Sequence, residues 1–261
     1  MLLREAGKAW RLLLGLPKTL VFNFRYFPFA RACRLPVLVS HRVKLVRLGG
    51  TVELAKYEYG SVRLGPADVD VFPDGGRPGV WRVEGLVRLG ADVRIGPGTS
   101  IVCSGELDIG DHVYMNARVS LYCAKQIVIG RDTLISWDAT IVDHDFHALH
   151  DAENNCVNPP APIIIGERAW VGFGAIIAKD TRLAPGTVIG AGAVVRGEFL
   201  NPDSVLASTP HAWCAGACCG TRRCDAALSW RPKIDARINP YNQIPANYLC
   251  SAIFPQLAHA D

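Results

Sequence analysis

No run of about 18 apolar residues occurs in this 261-residue chain, because Pro17 and Lys18 cut the stretch from Leu12 to Phe22 and Arg25 follows soon after. A membrane-spanning helix is therefore not expected. A strong excess of one charge is also missing: 28 Lys and Arg face 24 Asp and Glu, a net charge of +4 that is too small to argue for nucleic acid but suits a phosphorylated cofactor. The first residues make a poor secretory signal, since Glu5 and the early Pro17 interrupt a brief Leu-rich run behind Arg4, Lys8 and Arg11. The expected location is the cytoplasm. An even-numbered cysteine framework is lacking too, and the nine cysteines lie mostly in apolar runs (Cys33, Cys103, Cys123), where reduced thiols acting as small hydrophobes are expected. Low hydrophobicity, the mark of a disordered chain, does not apply: 49% of the residues are hydrophobic, enough for a sizeable core.

What the chain does contain is a repeat. Counting in sixes from Leu89 gives Ile95 and Ile101; after a two-residue spacer come Ile109, Met115 and Leu121, and after another Ile129, Ile135 and Ile141. Residues 143–164 interrupt the count, which resumes with Ile165, Val171, Ile177, Leu183, Ile189 and Val195. In a half-hydrophobic chain such a ladder arises by chance on the order of once in thirty thousand, before allowing for the choice of phase. A six-residue step fits neither a helix of 3.6 residues per turn nor simple strand alternation. It fits a three-sided solenoid whose sides are short strands, with the aliphatic positions stacked inward. The small residue that often follows the rung (Gly90, Gly96, Gly110, Gly130, Gly166, Gly172, Gly190) is expected where the chain turns sharply and approaches its neighbour. The segments VRLG at 46–49 and 62–65 suggest less regular coils beginning near residue 43.

Residues 1–42 interleave aromatic and basic side chains. They are expected to cap the open end of the solenoid. The rival reading is a patch that docks peripherally on an anionic membrane through Trp10, Phe22, Phe24, Phe27 and its arginines.

The segment PIIIGERAWVGFGAIIAKDTRLAPGTVIGAGAVVRG, 162–197, together with IGRDTLISWDATIVDHDFHALH and the loop that follows it, resembles the hexapeptide-repeat acyltransferases, among them the galactoside, maltose and capsular-sugar O-acetyltransferases. The resemblance implies an all-β fold, a left-handed parallel β-helix over residues 43–200 with a protruding loop at 143–164, a homotrimer, and active sites in clefts between subunits. It also implies acetyl-CoA as acyl donor, a sugar-like hydroxyl as acceptor, and no metal.

The interruption holds Asp143, His144, Asp145, His147, His150 and Asp151. Acyl transfer from a thioester to a hydroxyl needs a base for the hydroxyl proton, and imidazole suits this near neutrality. By alignment with the family, His147 is the first choice for that base and His144 the reserve, with Asp145 or Asp143 fixing the ring's tautomer. Trp137, with Asn116 and Arg118 one coil below, is placed at the same corner as candidate acceptor-binding residues, with Asp143. The resemblance puts the pantetheine arm along Trp170, Gly172, Gly174, Ala178 and Ala191, and makes Lys179 and Arg196 the cations for the coenzyme A phosphates. Two rivals stand beside this: a non-catalytic scaffold, and a γ-carbonic-anhydrase-like zinc enzyme using His144, His147 and His150.

After Pro210 the text changes abruptly. Residues 201–261 are expected to be an atypical, poorly ordered tail, out of frame from about Thr209, since regrouping the codons after Pro210 permits Ala-Arg-Val-Val-Arg-Arg-Gly-Val-Leu.

Overall fold

Six-residue steps close into a triangle only if equivalent rungs of successive coils pair in register, and they do. In the computed structural model, which describes residues 2–66 and 76–207, Ile101, Leu121, Ile141, Ile177 and Val195 are successive partners on one face. Ile95, Met115, Ile135, Val171 and Ile189 stack on another. Leu89, Ile109, Ile129, Ile165 and Leu183 stack on the third. Every strand pairing among the described residues is parallel, so they form a three-sided parallel β-helix. One face is an eight-stranded sheet from Val37–Val39 to Val205–Leu206; the other two form a single twelve-stranded sheet, because Ile176–Leu183 bends around the corner between them. All fifteen rung side chains are at most 4% exposed. Burying each from water contributes about 1.5–3 kcal/mol, which makes this column the main source of cohesion.

Of the two causes expected for the glycines after the rungs, close approach to the neighbouring coil holds and the turn itself does not. None of the seven adopts positive φ. Close approach dictates them: a Cβ on Gly90 would stand 2.4 Å from the amide nitrogen of Asp111, and one on Gly172 2.6 Å from the carbonyl oxygen of Ile189. The left-handed turns fall two residues later, on two columns: Asp92, His112, Asp132, Arg168, Gly186 and Asp203 on one corner, and Gly98, Arg118, Asp138, Gly174 and Gly192 on another. Asp and Gly suit such turns because a short polar side chain or none tolerates that conformation.

The coiled region is longer than the sequence suggested. It begins at Val37, whose strand pairs with Val62–Leu64, and Val205–Leu206 still pairs with Val188–Ile189. The six-residue count missed both ends: the first coil is irregular, and the last reaches its rung through the turn at Asp203. The two VRLG segments are not equivalent either. The first lies in Val43–Leu48, which carries a bulge between Leu45 and Arg47 and leaves Val46 exposed, whereas the second lies in Val62–Leu64 on another face with both aliphatics buried. Among the described cysteines Cys103 and Cys123 are buried free thiols, but Cys33 is exposed, because it ends the short helix α2 (Phe29–Ala32) on the outer surface. The proposed out-of-frame segment, 211–261, lies outside the described residues.

Helix α1 (Leu2–Tyr26) lies over the first coil. Its polar side chains supply the bonds that a preceding strand would have supplied. Asn23 Nδ2 donates to the Val37 carbonyl at 2.7 Å, and its Oδ1 accepts from the Val37 amide at 3.2 Å. Thr19 Oγ1 accepts from the Val39 amide at 2.9 Å, and Lys18 Nζ donates to the carbonyls of His41 and Val43. Phe22, fully buried, meets Trp81 edge-on at 5.1 Å.

Two substitutions test this arrangement. Ile135→Ala should cost about 2–5 kcal/mol by opening a cavity in the column. Asn23→Ala should cost about 1–3 kcal/mol by orphaning both polar groups of Val37. Denaturant unfolding measures both.

Candidate active site

The chain leaves the stack at Asp143 and rejoins it at the strand Ile163–Ile165. In the coils below, that corner is closed by backbone: the amides of Ser104 and Gly105 donate to the Cys123 carbonyl, and Glu106 donates to the Lys125 carbonyl. One coil higher, Ala124, Lys125 and Gln126 occupy the equivalent places, and the main chain that should accept from them has departed into the loop. Asp143 accepts instead. Its Oδ1 takes the Ala124 amide at 2.7 Å, and its Oδ2 takes those of Lys125 at 2.7 Å and Gln126 at 2.9 Å. The carboxylate is fully buried, and each such charge-assisted bond contributes roughly 1.5–3 kcal/mol. Asp143 is thus a structural anchor at this corner, which corrects its assignment to the acceptor site.

The same carboxylate orients a histidine. His144 Nδ1 lies 2.9 Å from Asp143 Oδ1, with the histidine side chain 20% exposed. A carboxylate accepts only, so the ring presents N–H at Nδ1 and keeps Nε2 as its acceptor. Phe146 flanks the ring with centroids 4.6 Å apart and packs edge-on against Tyr122 at 5.3 Å. It does so at φ 62°, a conformation rare for a bulky residue, while remaining 63% exposed. His147, by contrast, is an exposed residue of the loop; its carbonyl accepts from Asn158 Nδ2 at 2.9 Å. His150 lies farther out, bridged to Cys156. No group of three metal-ligating side chains is present among the described residues.

Asp145 does not serve a histidine. Its Oδ2 accepts from Lys179 Nζ at 2.7 Å and from Asn158 Nδ2 at 2.9 Å. Lys179 also donates to the carbonyls of Asn158 at 2.9 Å and Pro159 at 3.3 Å, so one ammonium ties the outgoing and returning limbs of the loop. Its three donors are engaged and its side chain is 7% exposed, which removes it as a coenzyme A phosphate ligand. Two adjacent limbs need one shared cation to hold them, and the stack sets it there: Ile177 pairs with Ile141 and Ala178 with Val142, so Lys179 comes next above Asp143. The Lys179 hydrogen bond, followed by that of Asn158, holds the Asp145 carboxyl below the usual carboxylate range.

The remaining candidates divide. Asn116 is buried, its Oδ1 accepting from the Ala117 amide at 2.8 Å. Arg118 pairs through two nitrogens with Asp138, holding that acid below the usual range, and Trp137 packs on Phe173 at 5.6 Å. These residues do not share the corner of His144, as the sequence suggested. They stand at the other end of the face, separated from it by the strands Ser120–Cys123 and Thr140–Val142, a distance of roughly 15–20 Å at about 3.3 Å per residue. Gly174 and Ala191 lie on that far corner. Gly174 and its neighbour in the next coil, Gly192, have positive φ, and no atom stands within 4 Å of where a Cβ would be. Gly172 is dictated by coil contact, as above, and Trp170 lies on the adjoining face with Nε1 donating to Ser136 Oγ at 3.1 Å. Ala178 is half-buried on the outer side and Arg196 is exposed. Sequence reasoning missed the position of Phe146 beside His144 and the clamping role of Lys179.

Asp143→Asn should destabilise the protein nearly as much as Asp143→Ala, because its amide group would turn N–H toward the amides of Lys125 and Gln126; thermal unfolding of both variants measures this. Because the folded state depresses the Asp145 carboxyl, the clamp's stabilisation is present above the unfolded value near pH 4 and is lost as pH falls through the folded value. Hydrogen-exchange protection in residues 145–159, taken relative to the intrinsic rate at each pH, should therefore fall on acidification in the wild type and be low throughout in Lys179→Met.

Residues 162–197 match the family described as bacterial transferase hexapeptide (six repeats). The chain is 29% identical over 140 residues to the putative lipopolysaccharide biosynthesis O-acetyl transferase WbbJ of Escherichia coli K12, covering 49% of this chain and 71% of that protein. It is 33% identical over 110 residues to the putative colanic acid biosynthesis acetyltransferase WcaF of the same organism, covering 41% of this chain and only 54% of that one. The solved polysialic acid O-acetyltransferase OatWY is 18% identical with a TM-score of 0.43, over 79% of this chain and 94% of its own. The repeat, its burial and the matching relatives agree: the chain is similar to the hexapeptide-repeat acyltransferases, and residues 162–197 carry the hexapeptide repeat of that family.

Proposed function

We propose that the protein transfers an acetyl group from acetyl-CoA to a hydroxyl of a sugar in a polysaccharide precursor, with His144 as general base. The observation that carries this is the Asp143–His144 pair at the loop exit: a half-buried imidazole held through Nδ1 by a fully buried carboxylate. As the acceptor oxygen attacks the thioester carbonyl, His144 Nε2 takes the hydroxyl proton and the C–O bond forms. Collapse of the tetrahedral intermediate breaks the C–S bond, and the same proton passes to the departing thiolate, releasing coenzyme A and the neutral base. Asp143 stabilises the transient imidazolium and keeps the tautomer. The named relatives are described as putative acetyltransferases of lipopolysaccharide and colanic acid biosynthesis, which supports a sugar acceptor here.

The upper coils suit an extended pantetheine arm. Gly174, Gly192, Ala178 and Ala191 leave backbone accessible on their outer side, and exposed Arg196 is the cation for the phosphates. The exposed ring of Phe146, with Tyr122 behind it, forms an apolar wall beside His144 for one side of the sugar. A homotrimer would set the far corner of one subunit, with Trp137, Arg118 and Gly174, against the His144 corner of the next, closing a separation too long for a single chain to bridge.

A coenzyme A release assay with a panel of sugars tests the reading. His144→Ala should lower kcat by about 10²–10⁴, while His147→Ala stays within a few-fold. Phe146→Ala should raise KM for the acceptor and leave that for acetyl-CoA unchanged. Comparable loss in His147→Ala alone would move the base to His147, and no release with any sugar would favour a scaffold role.

A further inference from the structure

The side of α1 that faces away from the coils is apolar. Its inner side, with Gly15, Thr19 and Phe22, is buried, and a Cβ on Gly15 would already stand 2.4 Å from the Val39 carbonyl oxygen. Opposite lie Trp10, Leu13, Leu14, Leu20, Val21 and Phe24, at the three- and four-residue spacing of one helical stripe, and each is at least 39% exposed. Phe29, 75% exposed, extends the stripe through its ring contact with Phe24 at 5.8 Å. An outward stripe this large gains nothing from the solenoid beneath it.

Charge identifies the occupant. From residue 6 to residue 52 the chain has nine Lys and Arg and no Asp or Glu, which leaves 19 of the 28 basic residues and all 24 acidic residues elsewhere. Arg25, Arg31 and Arg34 are exposed beside the stripe. Two copies packed stripe to stripe would bring two uncompensated positive segments together. A bilayer containing anionic lipid is both negative and apolar at a depth a surface helix reaches. No helix among the described residues is long and apolar enough to cross it.

We propose that α1 is an interfacial anchor: its stripe from Trp10 to Phe24 enters the surface of an anionic bilayer, with the flanking arginines on lipid phosphates and the coils standing off the membrane. The test is sedimentation of the whole protein with phosphatidylcholine vesicles, with and without phosphatidylglycerol, beside the variant Leu13→Glu/Leu20→Glu/Phe24→Glu. These side chains point away from the coils, so the variant's thermal midpoint should match the wild type. The wild type should bind the phosphatidylglycerol vesicles, losing about tenfold or more in affinity between roughly 0.1 M and 0.5 M salt, and the variant should lose about tenfold or more at low salt. Equal binding by the variant, or no binding of the wild type to anionic vesicles, overturns the proposal. So does a wild type that ignores vesicles but whose mass by light scattering falls in the variant, which would make the stripe a contact between copies. None of these readouts involves acyl transfer, so the anchor stands or fails independently of the active site.

Discussion

Each coil of this solenoid exchanges amide and carbonyl bonds with the coils next to it, so wherever the chain departs from the stack a row of backbone groups must be satisfied by something else. Two such departures shape the molecule. At the start no strand among the described residues lies below Val37–Val39, and Thr19 and Asn23 of α1 stand in for one. At the loop exit the corner above Ala124, Lys125 and Gln126 is missing, and the Asp143 carboxylate replaces it. Buried charge normally carries a large desolvation cost, but here three amides and an imidazole surround it, and removing it would leave all four unpaired.

On the proposed function, the second departure sets where the base stands. Because Asp143 is held by the rigid stack on three amides, the residue immediately after it emerges at a defined place, and that residue is His144. A loop histidine farther along, such as His147, lies beyond Asp145 and is positioned by the loop's own bonds to Asn158. A general base needs its nitrogen placed to within a fraction of an ångström through the reaction, which favours the histidine one bond from the scaffold over the one on the loop.

The fold was largely legible because its signal is periodic: fifteen aliphatic side chains at fixed steps can be counted without knowing what they touch. The ends and the site were harder for a physical reason. Thr19 and Asn23 act on a strand well over ten residues away, and Lys179 reaches Asp145 across 34 positions, so no local pattern marks them. A signal did exist. Once Ile141 and Ile177 are taken as the same rung, Lys179 falls above Asp143 just as Asp143 falls above Cys123 and Cys103, and a buried lysine over a buried carboxylate corner is not a solvated coenzyme ligand. Loop spacing favours His147, whereas the rung register points to the residue directly after Asp143.

The rings near His144 follow from the same geometry. Tyr122 points outward because Leu121 and Cys123 point in, and the next coil places Val142 over it, leaving the tyrosine ring as a platform at the corner. Phe146 reaches that platform only by taking φ 62°, a strained turn for an aromatic residue. Lys179 makes the turn affordable by fixing Asp145, the residue before it, to the returning limb at Asn158 and Pro159. The exposed ring beside the histidine is therefore held by the loop clamp and not by burial, and a change at Lys179 would disturb Phe146 before it disturbed His144.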